Sequence, residues 1–141
     1  MDVPIRRLSQ FTPLPEYKTS GACAFDIAVI EEKTLQPNER AIFSTGLVIK
    51  VPDDQVLILA SRSSNAKKGI VLSNGIGVID NDHCGPNDQL LLAILNIGNT
   101  PYSIKIGERI AQGFFVPFSR ATFVEPEEWD LPDRGSFGTT G

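Results

Sequence analysis

The sequence predicts an all-β fold, a sandwich or barrel of many short strands, on three observations. Apolar runs rich in β-branched residues recur at close spacing, and Gly, Pro, Asn and Asp stand between them. Only one nine-residue stretch has helical character. Gly and Pro account for 22 of 141 residues, roughly 16% against an average near 12%, so the chain is turn-rich without being of low complexity. This length suits one domain. With 41% hydrophobic and 21% charged residues, the composition is that of a globular chain and not a disordered one.

The elements follow in order. Residues 41–51 (AIFSTGLVIKV) are β-branched and apolar and stop at Pro52-Asp53-Asp54; residues 56–60 (VLILA) form a second run. Residues 61–69 are the one helical candidate, with serines for the N-cap and Gly69 for the C-cap. Residues 70–72 and 76–79 flank Ser73-Asn74-Gly75, which reads as a hairpin. Residues 90–97 are continuously apolar between turn signals and read as a fully buried strand. Residues 102–106 alternate, Gly107-Glu108 turns, residues 110–118 supply a long strand and residues 121–124 a last short one. From Glu125 the pattern dissolves into Pro, Gly and Thr. The expected organisation is a β core over 1–124 and a flexible C-terminal arm over 125–141.

The net charge is −4, and the only adjacent basic pairs are Arg6-Arg7 and Lys67-Lys68. A basic stripe is the footprint of a duplex binder, so direct nucleic-acid binding is not expected. The N-terminus carries no apolar signal core and no run has the length of a membrane span, so a cytoplasmic protein without membrane association is expected. Cys23 and Cys84 fit no ligand spacing and read as reduced thiols. The chain has no GxSxG elbow, HExxH or Walker-type loop, and its single histidine cannot build a metal cluster.

What remains is a set of polar clusters at turns and strand ends. Asp26 sits amid small and apolar residues. Arg62-Ser63-Ser64 opens the candidate helix, where backbone N–H groups favour phosphate. Asp80 and Asp82 close the segment after Gly77, Arg109 and Gln112 stand three apart, and Arg134 introduces a Gly/Thr-rich end. Singly, each has an ordinary reading: Asp80 and Asp82 as turn formers, Arg109 as an ion-pair partner, the tail as a frayed terminus.

Together and in this order they resemble the five motifs of the trimeric dUTP pyrophosphatase (dUTPase) family. Ala24-Phe25-Asp26-Ile27 resembles the first and Ser61-Arg62-Ser63-Ser64 the second. Residues 74–83 (NGIGVIDNDH) resemble the third, Arg109-Ile110-Ala111-Gln112 the fourth, and residues 134–141 (RGSFGTTG) the fifth. The chain has Ala24 where the family usually has Gly, Ser61 for Pro and His83 for Tyr, and its arm is two residues shorter between Arg134 and Phe137.

The resemblance implies a jelly-roll-like β fold and a homotrimer with active sites at subunit interfaces. It implies hydrolysis of dUTP to dUMP and pyrophosphate with Mg²⁺ on the triphosphate. Asp80 would accept a proton from the attacking water, and Gln112 would help hold that water or a nearby phosphate oxygen. Asp26 would bind Mg²⁺ through water. Arg62, Ser63 and Ser64 would meet the phosphates, with Arg134, Gly138, Thr139 and Thr140 over the γ end. Asn74 and the hairpin backbone after Asp80 would read the uracil edge, with Gly77 also in the substrate site; His83 would pack under the sugar, and Phe137 would stack on the base. Two other readings stand beside this one. A dCTP deaminase-like enzyme on the same fold needs a glutamate near the base, and no Glu lies between Glu39 and Glu108. A nucleotide-gated regulatory binding protein would use the arm as a switch.

Overall fold

The computed structural model describes residues 1–135. Among these, eleven strands and one helical turn follow in order. They are β1 (Ile5–Arg7), β2 (Phe25–Ala28), β3 (Lys33–Leu35), β4 (Arg40–Ser44), β5 (Leu47–Ile49) and β6 (Gln55–Ser61). Then come α1 (Asn65–Lys68), β7 (Ile70–Leu72), β8 (Ile76–Ile79), β9 (Leu91–Asn96), β10 (Tyr102–Ile104) and β11 (Arg109–Pro117). Two sheets, ordered β2-β11-β6-β8 and β4-β9-β7, carry the fold, and the pairs β1-β5 and β3-β10 flank them. Every pairing is antiparallel. The expected all-β, jelly-roll-like class is what the chain adopts.

One core joins the sheets: Phe25, Ile27, Leu57, Leu59 and Ile110 from the first, Phe43, Ile70, Leu92 and Ile94 from the second. Each fully buried side chain of this size contributes roughly 1.5–3 kcal/mol. Among the described residues, no helix is long and apolar enough to cross a membrane.

Several elements differ from the sequence reading. Residues 41–51 are two strands, because Gly46 takes φ +69° and turns the chain between β4 and β5. The strand over 90–97 is buried on one face only: Leu92, Ile94 and Asn96 point inward, whereas Leu91 and Ile97 are 52% and 57% exposed. The buried Asn96 is satisfied, donating to Leu35 O and Thr100 O and accepting from Gly98 N, each at 2.9 Å.

Ser73-Asn74-Gly75 does turn the chain, with Gly75 N donating to Leu72 O at 3.1 Å, but it makes no hairpin. β7 pairs with β9 and β8 with β6, so the turn passes the chain from one sheet to the other. No strand forms over 121–124. Regular structure ends at Pro117, and residues 117–135 are all exposed. α1 is a single turn with Gly69 as its left-handed C-cap, but Ser64 at its start makes no side-chain cap bond.

Candidate active site

The first cluster assembles at the ends of β2, β6 and β11. Asp26, 9% exposed, lies opposite Gln112 in the β2–β11 register. A β-bulge interrupts that register between Arg109 and Ala111. In a regular strand, residues three apart face opposite ways; the extra residue brings Arg109 and Gln112 onto one face, that of Asp26. Arg109 Nε accordingly stands 3.6 Å from Asp26 Oδ2. Arg62, just past β6, forms an ion pair through Nε with Asp26 Oδ1 at 2.7 Å and donates from Nη1 to Arg109 O at 2.9 Å. Gln112 donates its amide nitrogen to Ser61 O at 3.0 Å, which leaves its oxygen free among the described residues. Asp26 Oδ2 and Ser64 Oγ are buried without a hydrogen-bond partner, while Ser63 is exposed.

α1 is held on this cluster from both ends. Asn65, buried, donates to Ile110 O at 2.7 Å, and Lys68 reaches Glu108 Oε1 at 2.6 Å. Tyr102 OH donates to the same oxygen at 2.7 Å and Lys105 N to Oε2 at 3.0 Å. Burial pushes the Glu108 carboxyl up, but the bonds from Lys68, Tyr102 and the Lys105 backbone outweigh it, and its pKa lies below the usual value.

The second cluster runs along β8. Asn74, Gly77, Val78 and Ile79 line a cavity of about 130 Å³ with Leu59, Leu72, Leu91, Leu92 and Ala93. Gly77 packs closely here: a Cβ would meet Leu59 Cβ at 3.1 Å, so Leu59 would have to shift by a few tenths of an ångström to admit one. Asp80, exposed, follows β8 and lines a separate cavity of about 260 Å³ with Gln55, Val56, Asn81, Phe118 and Arg120. His83 is exposed, its N–H on Asp80 O at 3.3 Å. Cys84 and Pro86 face a cleft with Pro4, Arg6, Val48 and Lys50.

The two clusters do not meet within one chain. Ile79 lies opposite Leu57, so Asp80 falls beside Val56, whereas Gln112 lies opposite Ala60. At about 3.3 Å per residue, four residues of β6 separate Asp80 from Gln112 by ~13 Å, and six separate it from Arg62 by ~20 Å. β8 and β11 also flank β6 on opposite sides, which adds to the distance. A water held by Asp80 cannot touch Gln112 of the same chain.

The dUTPase family model matches residues 11–141. The chain belongs to the dUTPase family. A deoxyuridine 5'-triphosphate nucleotidohydrolase of Shewanella piezotolerans is 38% identical over 141 residues, covering 96% of this chain and 91% of that protein. The dUTPase of Streptococcus mutans is similar in structure, with TM-score 0.76 and 30% identity over 84% of this chain and 98% of that one. A mutant dUTPase of Staphylococcus bacteriophage 80alpha, solved with dUpNHpp, gives TM-score 0.83 and 25% identity over 99% of this chain and 98% of that one.

Within this dUTPase fold the motif residues fall into three places. Asp26, Arg62, Ser63, Ser64, Arg109 and Gln112 come together; Asn74, Gly77, Asp80 and His83 lie along and beyond β8; Arg134 is exposed in the extended tail. Phe137, Gly138, Thr139 and Thr140 lie outside the described residues. Two expectations shift. The Arg62 guanidinium is engaged by Asp26 and Arg109 O, and a four-residue α1 lacks the aligned peptides that a helix terminus needs to attract phosphate. Sequence reasoning missed Asn65, Lys68, Tyr102 and Glu108. The available signal was Glu108 standing next to Arg109 in the fourth motif.

Proposed function

We propose that the protein hydrolyses dUTP to dUMP and pyrophosphate in a homotrimer whose sites combine the Asp26–Gln112 cluster of one chain with the Asp80 strand of another. The observation that carries this reading is the separation along β6, since the two halves of the family's site stand at opposite strand ends. The outer face of β4, β9 and β7 supports association. By register it displays Ile42, Leu91, Ala93, Leu95 and Val71 together, with Arg40 and Ser44 beside them on β4, and Ile42 and Leu91 are 57% and 52% exposed. Such a contiguous apolar face on a soluble chain marks an interface.

In the proposed reaction Asp80 accepts a proton as water attacks the α-phosphorus, and the bond to the bridging oxygen of the β-phosphate breaks to release pyrophosphate. The free oxygen of Gln112 helps orient that water. Arg62, held by Asp26, and the exposed Ser63 hydroxyl donate to phosphate oxygens, while the Ser64 hydroxyl lies buried. The Asn74 side chain and the Gly77 backbone read the uracil edge in their cavity, and His83 supports the sugar. Arg134, Phe137, Gly138, Thr139 and Thr140 form the covering arm.

Mg²⁺ fits as a companion of the substrate. Among the described residues no three His, Cys, Asp or Glu side chains group together, so the phosphates would supply most ligands. The unpartnered Asp26 Oδ2 suits acceptance from a metal-bound water. When bound, the ion would spread negative charge on the triphosphate. Among the described residues the cavity of Asn74 and Gly77 has no acidic side chain in its lining, which disfavours the deaminase alternative. Pyrophosphate release from dUTP, beside dCTP, dTTP and UTP with and without Mg²⁺, tests the proposal. Expected is dUTP turnover that needs Mg²⁺; equal turnover of all four, or none, overturns it.

A further inference from the structure

We propose that Glu108 is a positioning residue: acting through Lys68 and Tyr102, it fixes Arg109 and the Ser63-Ser64 segment against Asp26. The inference rests on the function proposed above for that cluster. Three donors converge on the Glu108 carboxylate and tie it into the fold: Lys68 at the end of α1 and Tyr102 at the start of β10 on Oε1, and the backbone of Lys105 on Oε2. Its own carbonyl accepts from Val29 N at 3.1 Å, one residue beyond β2. The side chain is 17% exposed, so the arrangement is enclosed and not a solvated surface pair.

The geometry of α1 explains why the site needs such a hub. A four-residue helix does not hold its own orientation. Asn65 and Lys68 stand three apart on one face of α1, and that face is fastened to the head of β11 at two points, Ile110 O and Glu108. Arg109 lies between those points and enters the bulge that aims it at Asp26. Releasing one fastening lets α1 swing, and Ser63 and Ser64 move with it. Misplacement by about 1 Å at a distance from the reacting atoms costs up to about 100-fold in rate.

The test compares Glu108→Gln, Lys68→Met and their double variant with the parent and with Lys33→Met, whose ion pair with Glu31 lies elsewhere. Thermal melts, kcat for dUTP and affinity for dUMP are measured on each, at a temperature where all are folded. Expected for Glu108→Gln and Lys68→Met is a fall in kcat of about tenfold or more, dUMP affinity within about threefold of parent, and a double variant no slower than the worse single. Lys33→Met should keep the parental kcat. A folded Lys68→Met protein with kcat within about threefold of parent overturns the inference. Equal losses in kcat and dUMP affinity also overturn it, since they indicate general damage. Lys68→Met leaves Glu108 two donors, so it decides the matter even where Glu108→Gln fails to fold. A parent inactive on dUTP sinks the proposed function itself; an active parent with unaffected variants sinks only the role of Glu108.

Discussion

At Asp80 the proposed chemistry depends on a single proton acceptor in an exposed loop, with no ion pair to engage it among the described residues. Asp80→Asn keeps the shape and removes the base, so kcat for dUTP should fall by about 10²–10⁴-fold while dUMP still binds. Pyrophosphate release and dUMP titration check this, and turnover within a few-fold of parent would make Asp80 a turn residue. His83 poses the second question at this scale. Cys84 and Pro86, which follow it, face the cleft with Arg6 and Lys50. In the proposed site the His83 imidazole would supply the wall under the sugar. dUTP should be preferred over UTP by at least about tenfold in kcat/KM, or roughly 1.4 kcal/mol. His83→Tyr should preserve or raise that ratio, and a lowered ratio means another group reads the sugar. The motif residues were legible because their types and order are unusual. The partners of Arg62 were not, since a sequence places a guanidinium near a helix start without saying which carboxylate two strands across the sheet will hold it.

The elements show what local patterns convey and where they stop. The apolar runs that became β6, β9 and β11 were readable because length and composition suffice to specify a strand. The Ser73-Asn74-Gly75 turn was readable as a turn, yet its strands part company because pairing is chosen by the core and not by the turn. The three-residue β1 and β3 carry no pattern of their own and exist through β5 and β10. At this scale stability should depend on pH through three groups. Glu31 and Glu108 are pushed up by burial, but hydrogen bonds outweigh it, from Ser44 and Lys33 to the first and from Lys68 and Tyr102 to the second. Both lie below the ordinary value of 4.5. Their contribution is present above that value and is lost as pH falls through the depressed folded pKa. Burial, then the bond to Glu108, pushes the Tyr102 phenol up to about 12 from 10. Its contribution is full below pH 10 and fades as pH rises toward 12. Urea midpoints should therefore fall below about pH 4.5 and again above about pH 10, and Tyr102→Phe should flatten the alkaline limb. An unchanged alkaline limb in Tyr102→Phe assigns it to other groups. The arm gives a further test. Because Arg134 and Gly135 are exposed, truncation after Asp133 should leave the melting temperature nearly unchanged and slow dUTP hydrolysis about tenfold or more, as expected when a covering lid is lost. Normal turnover would show that Arg134 and the residues beyond it play no part.

For the whole molecule, the separation along β6 makes a quantitative demand. Two inactive variants, Asp80→Asn and Gln112→Ala, should restore one another when their subunits are exchanged. Random mixing at equal amounts leaves about a quarter of sites with both native residues if each site draws on two chains, and none if each is confined to one. Assays before and after exchange, with light scattering expecting about 46 kDa for three 15.4 kDa chains, distinguish the cases. The same feature separates becoming folded from becoming a catalyst. Circular dichroism should recover at a rate independent of dilution, because each chain closes its own core. Activity should recover with a lag that lengthens as the chains are diluted, because encounter between finished subunits is a collision and not a rearrangement. A newly made subunit is then inert toward the nucleotide pool until it finds others, and its output in a cell depends on expression level more steeply than one chain, one catalyst would allow.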